Sequence, residues 1–149
     1  MIELREQAFN PWEELLRYNE VLQSEKGKYG ANSVFVGTMR DFNNSNNIES
    51  MFLEHYPEMT TRYLEKILIE TRSRWEIIDA LILHRVGNLI PDDTIVLIAV
   101  WSAHRNEAFD ACRYIIEELK HRAPFWKKET RNDSTSHWVT SNTPQKSSV

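Results

Sequence analysis

The chain is short of several things, and each absence narrows what it can be. There is one cysteine in 149 residues, so no internal disulfide can form. Cys112 sits between Phe109 and Ile116 on an apolar stripe, where a thiol packs as a small hydrophobe. The sequence therefore offers no thiol carrier of its own. No apolar run approaches the ~20 residues needed to span a bilayer. The start, M-I-E-L-R-E, lacks the apolar core of a signal peptide, and a cytoplasmic protein is the expectation. Basic charge is not in excess: the formal net charge is −4, which argues against broad nucleic-acid binding. The five histidines form neither H-x-H nor H-E-x-x-H, so no metal is expected. His55 falls inside a strand and reads as a packing residue. No internal repeat is visible.

What remains has the balance of a soluble globular domain, with 41% hydrophobic and 27% charged residues. Asn10-Pro11-Trp12-Glu13 starts a helix, with Asn as cap and Pro at the first helical position. Its apolar face is Trp12, Leu15, Leu16 and Leu22. Ser33 to Arg40 is β-branched and aromatic and predicts a strand, with Gly37 marking a bulge or a close approach. D-F-N-N-S-N-N follows as a loop, then a strand over Glu49–Tyr56 that Pro57 ends. Glu58–Trp75 predicts a helix burying Met59, Tyr63, Ile67 and Leu68. Ile77–Val86 is strand-like, and Pro91-Asp92-Asp93 makes a turn. Thr94–Trp101 is almost wholly apolar and predicts a central strand buried on both faces. Ser136–Thr140 could add a short strand on Trp138. Residues 141–149 form a polar tail without apolar content, read as disordered. Helices and strands mix without βαβ alternation, so the fold class is α+β: one domain over residues 1–140, with helices packed on a mixed or antiparallel sheet.

The central strand feeds S-A-H-R-N-E-A-F-D-A-C-R-Y-I-I-E-E-L-K-H-R-A-P-F-W-K-K-E, from Ser102 to Glu129. Phe109, Cys112, Ile116 and Leu119 recur at helical spacing. His104 and Arg105 stand at the amino end, where unpaired N–H groups and the dipole already favour anions. Lys120 stands at the carboxyl end, and Pro124 stops the helix. From Lys120 to Arg131 five basic residues (Lys120, Arg122, Lys127, Lys128, Arg131) face Glu129 alone. In an acidic chain such a cluster suits an anionic small molecule; the plainer reading is a solvated helix end that complements the dipole.

S-A-H-R, then L-K-x-R-A-P-F-W-K-K-E, resembles the catalytic (large) subunit family of molybdopterin synthase. F-V-G-T-M-R at Phe35–Arg40, L-E-H-Y-P-E-M-T at Leu53–Thr60 and H-R-V-G-N-L-I-P-D-D at His84–Asp93 fit in the same order. The resemblance covers roughly residues 30–139 and implies an α/β-hammerhead fold. It implies sulfur transfer from the thiocarboxylated Gly-Gly terminus of a small ubiquitin-like subunit to cyclic pyranopterin monophosphate, giving the dithiolene of molybdopterin. That pterin is a substrate; no cofactor is implied. By motif position Lys120 would be the catalytic lysine, joined by Lys127. Neighbouring charge and partial burial would favour a neutral amine there. Substrate contacts would come from Thr38, Met39, Arg40, His104, Arg105, Lys120, Lys127, Lys128 and Glu129. Phe35, Gly37 and Phe125 would line the groove for the partner's tail. The family also carries a basic residue soon after W-V. Here Trp138-Val139 is followed by Thr140-Ser141-Asn142, so Arg131 or Lys146 would have to serve.

Arg105 and Lys120 are fifteen residues apart, about 22 Å along a helix at ~1.5 Å per residue. A pterin spans roughly half of that on the same scale. One helix cannot grip it at both ends, so a twofold homodimer is expected, with the helix start of one copy facing the helix end of the other. The resemblance implies the same, with two small subunits completing a heterotetramer. A different reading is a non-catalytic single-stranded nucleic-acid module over Lys120–Lys128, with Phe125 and Trp126 stacking bases.

Overall fold

The computed structural model describes residues 1–43, 46–131 and 135–139. The expected tail at 141–149, with Lys146, lies outside the described residues, as do Asn44 and Ser45 of the asparagine-rich loop.

A strand at Ile2–Arg5 (β1) precedes the first helix, α1, at Pro11–Val21. The Asn10 side chain caps α1 as its spacing predicts, accepting from the Trp12 N–H at 3.0 Å. Then come β2 (Ala31–Thr38), the short β3 (Phe42–Asn43), β4 (Asn46–His55), α2 (Pro57–Arg74), β5 (Ile77–Arg85) and β6 (Gly87–Leu89). The chain closes with β7 (Thr94–Ser102), α3 (Arg105–Arg122), β8 (Phe125–Arg131) and β9 (Ser136–Trp138). One sheet has the order β1-β5-β7-β2, with β1 parallel to β5 and the other pairs antiparallel. The other is antiparallel, β3-β4-β8-β9, with β6 also on β4. This is the expected α+β class with a mixed sheet.

β7 lies in the middle of the first sheet. Its apolar run is buried because both sheet faces are covered. Ile98 and Val100 pack with Leu64, Ile67, Ile115 and Leu119 from α2 and α3, while Leu97, Ala99 and Trp101 pack with Tyr18 and Leu22 from the α1 side. A third cluster, Met39, Ile48, Met51, Leu53 and Leu89, fills the inner face of the second sheet. A cavity opens where the first and third clusters meet.

Several local expectations give way. The buried face of α3 is Ala108, Ala111, Cys112, Ile115, Ile116 and Leu119. Two alanines bring the helix close to the sheet, and Phe109 stays 62% exposed at the edge of the stripe. On α1 Trp12 and Leu16 face outward, and Tyr18 goes in instead, its ring 5.4 Å from that of Trp101. On α2 Met59 is exposed, whereas Thr60, Leu64, Ile67 and Thr71 are buried. Thr71 fits because its hydroxyl donates to Ile67 O at 2.7 Å within the helix. The asparagine-rich stretch is not all loop: Phe42 and Asn43 pair with Asn47 and Asn46. The segment after Pro124 is a strand, held between β4 and β9.

Candidate active site

Two glycines set the frame. A Cβ on Gly37 would lie 2.8 Å from Val96 Cγ1 and 3.3 Å from the Phe35 ring. The β2–β7 register also shifts between Gly37 and Thr38, so the expected bulge and the expected close approach both occur. A Cβ on Gly30 would lie 2.6 Å from Ala103 O, so only glycine lets the start of β2 lie against the turn that leads into α3.

A cavity of about 560 Å³ opens between the end of β2, the inner face of β4 and β8, and the last turn of α3. Phe35, Gly37, Thr38, Met39, Arg40, Lys120, Phe125, Lys127 and Glu129 all line it. Residues from two distant parts of the chain, 35–40 and 120–129, thus meet in one place. β8 explains part of the selection: side chains alternate across a strand. Lys127 and Glu129 turn inward, opposite Leu53 and Met51 of β4. Lys128 turns outward and is exposed, its Nζ 5.9 Å from the Trp138 ring, so it does not join the cavity.

Lys127 is partly buried, and burial is the main cause that holds its pKa below the ordinary lysine value. The charge of Lys120 pushes the same way, and Glu129 opposes both. Glu129 is itself buried, with Oε2 3.8 Å from His137 Nε2. Arg122, counted in the same basic run, leaves it: its guanidinium bonds Glu118 and, at 3.2 Å, Glu70. Arg40 is exposed at the cavity mouth, its guanidinium 4.9 Å over the Phe42 ring. Arg131 does not line the cavity, whereas Val139 does.

His84 is a cavity residue that sequence reasoning passed over. It is buried, and its ring stacks on Phe125 at 4.1 Å and 10°. Nδ1 lies 2.6 Å from Arg85 O. A carbonyl only accepts, so Nδ1 carries the proton and Nε2 is left as an acceptor. Its pKa is brought down to about 4, chiefly by burial, with nearby Lys127 and His55 acting the same way and the bond to Arg85 opposing. A histidine outside any ligand pattern gave no signal; only the strand pairing reveals its place. The aromatic pair of the nucleic-acid reading is divided: Phe125 stacks on buried His84, while Trp126 lies edge-on to Tyr56 at 5.3 Å on the surface.

His104 and Arg105 stand apart. They are exposed at the amino end of α3, in a separate recess of about 480 Å³ with Gly30, Ala103, Asn106 and Glu107. Glu107 Oε2 is buried there without a hydrogen-bond partner among the described residues. No helix among the described residues is long and apolar enough to cross a membrane.

A cavity lined by two lysines, an arginine and a buried carboxylate, with apolar walls, has the chemistry to hold an anionic small molecule. The family model described as MoaE protein matches residues 6–122. A molybdopterin synthase catalytic subunit from Ralstonia nicotianae is 48% identical over 118 residues, 79% of this chain and 66% of that one. One from Pseudomonas aeruginosa is 46% identical over 138 residues, 93% and 89%. The crystal structure of molybdopterin synthase from Staphylococcus aureus superposes with a TM-score of 0.80 at 33% identity, covering 92% of this chain and 95% of that one. The chain belongs to the MoaE family of molybdopterin synthase catalytic subunits.

Proposed function

We propose that this chain transfers sulfur in the cytoplasm from the thiocarboxylated C-terminus of a small ubiquitin-like subunit to cyclic pyranopterin monophosphate. The observation that carries the reading is the convergence of Lys120 and Lys127 on one apolar-walled cavity, with the Lys127 amine driven toward its neutral form. The carrier's sulfur bonds to a side-chain carbon of the pterin as a carbon–oxygen bond of that carbon breaks, the oxygen leaving either on the phosphate or as water. Water then breaks the acyl–sulfur bond, and the carrier leaves as its carboxylate. Each transfer forms one C–S bond and needs no oxidant.

The second step develops negative charge on the acyl oxygen and must take a proton from water. A neutral Lys127 can accept that proton, and the Lys120 side chain can stabilise the oxyanion. Arg40 suits the phosphate at the mouth. Phe35, Gly37 and Phe125 offer the flat apolar wall that an extended Gly-Gly tail requires. His104 and Arg105 come from a second copy of the chain. Their recess lies at the far end of α3, too distant for one substrate to reach both within one copy.

The test is turnover with thiocarboxylated partner and the pterin. Lys120→Ala and Lys127→Ala should each keep the fold and lower kcat by on the order of a hundredfold to ten-thousandfold. Near-normal turnover in either would remove that lysine from the chemistry.

A further inference from the structure

The H-R-V-G-N-L-I-P-D-D segment borders the cavity, yet within it only His84 is a lining residue. Arg85, the last residue of β5, is buried on the other side of the strand. Its Nη2 donates to Asn88 O at 2.8 Å, and its Nη1 lies 3.8 Å from Asp93 Oδ2. Nε and Nη1 meet no hydrogen-bond acceptor among the described residues. A buried guanidinium held this sparingly is expensive to keep, and a fold retains one where it has a task.

Asp93 shows what the task is. The same Oδ2 accepts from Ile90 N–H at 3.0 Å, and Asp93 N–H donates back to Ile90 O at 3.1 Å. Asp92 closes the turn in the left-handed region, φ 72°. The turn then grips the end of β2 from both sides: Met39 N–H donates to Asp93 O, and Asp92 N–H donates to Met39 O, each at 2.9 Å. Met39 is anchored by burial as well. The next residue is Arg40. The ladder register slips at Gly37/Thr38, so these two bonds, rather than regular strand pairing, hold the chain beyond Thr38.

We propose that Arg85 is a positioning residue for Arg40. Through the Asp93 carboxylate it fixes the turn that clamps Met39, and so sets where the Arg40 guanidinium enters the cavity. The proposal rests on the assignment of Arg40 to the substrate's phosphate. Arg40 is an exposed side chain, so its order depends on the backbone it starts from. Displacing an anion ligand by about 1 Å is enough to weaken binding.

Two variants separate position from folding. Asp93→Asn removes the charge that faces Arg85 but keeps an oxygen for Ile90 N–H. Arg85→Met removes the guanidinium and keeps an apolar stem. Each should raise KM for the phosphorylated pterin about fivefold with kcat within about twofold, and neither should raise it further in an Arg40→Ala background. Amide exchange at Met39 should quicken about tenfold in Asp93→Asn. An unchanged KM in both variants, a rise that multiplies with that of Arg40→Ala, or unaltered exchange at Met39 would each overturn the proposal. If Arg40→Ala alone leaves KM unchanged while Met39 exchange quickens, the clamp stands and the phosphate assignment is what fails.

Discussion

The two ends of α3 carry similar residues in different surroundings. At the carboxyl end Lys120 meets a cavity walled by β2, β4 and β8, and the neighbouring Lys127 and His84 are held in altered states by burial. At the amino end His104 and Arg105 are exposed, and their recess is bounded by residues of the helix start and Gly30 alone. Both ends attract anions, the first through side-chain charge and the second through side chains and backbone N–H groups together. The first withdraws part of its charge from water: Lys127 and Glu129 are set into the cavity, whereas Lys120, expected to be partly buried, is exposed at the rim with Arg40. One end is a lined cavity and the other an open recess, and the proposed reaction joins them only if they come from different copies.

The sharpest way to break that comparison is to divide the halves between subunits. Homodimers of Lys120→Ala and of Arg105→Ala should each retain about a thousandth of normal turnover. Co-assembled in equal amounts, half of the dimers contain one chain of each kind. Each such dimer has one site with both defects and one with neither, so activity should return to about a quarter of normal. Turnover that stays at the level of the homodimers would place both residues in one chain's site and end the two-copy account.

A smaller effect tests burial at the carboxyl end. His84 titrates near 4 in the folded chain, against an ordinary value of 6.5. Between these values the unfolded chain binds a proton that the folded chain refuses. Stability therefore falls as pH drops from about 6.5 to about 4 and levels off below, by on the order of 3 kcal/mol. His84→Phe keeps a ring against Phe125 and removes the titration. Its denaturant midpoints should lose this part of the pH dependence. An unchanged acid slope in the variant would show that His84 is not held neutral.

How much of this was legible in the chain depends on the period. β7 is apolar throughout, and a strand buried on both faces has no alternation to misread. The course of α3 and the N-cap of α1 were equally plain. β8 was not, because F-W-K-K-E-T-R reads as a basic run trailing a helix, and its period of two appears only when β4 lies beside it. That omission grouped Lys128 with Lys127, although adjacent strand residues face opposite ways. Phe109 was misplaced for a related reason: side-chain size suggested the centre of a stripe that Ala108 and Ala111 occupy, where small residues allow close approach. Motif order gathered Arg40, Lys120 and Lys127 without geometry. It could not reveal His84, whose role comes from a stacked ring, or the Arg85–Asp93 clamp, whose partners meet through a turn.

The smallest expected effect tests how the basic run divides. Lys120, Arg122 and Lys128 lie within nine residues and look alike by charge. The structure sends them three ways: to the cavity, to Glu118 and Glu70, and to the outer face beside Trp138. Arg122 is exposed, so its ion pairs are screened by water and salt and contribute little. Arg122→Ala should shift the thermal midpoint by no more than about 2 °C. Turnover and KM for the pterin should both stay within about twofold of normal. Lys128→Ala should behave the same way at the active site. A large loss of turnover in either would mean that the whole basic run acts as one surface for the anion. The division made by strand alternation and by the acids of α2 and α3 would then have no functional meaning.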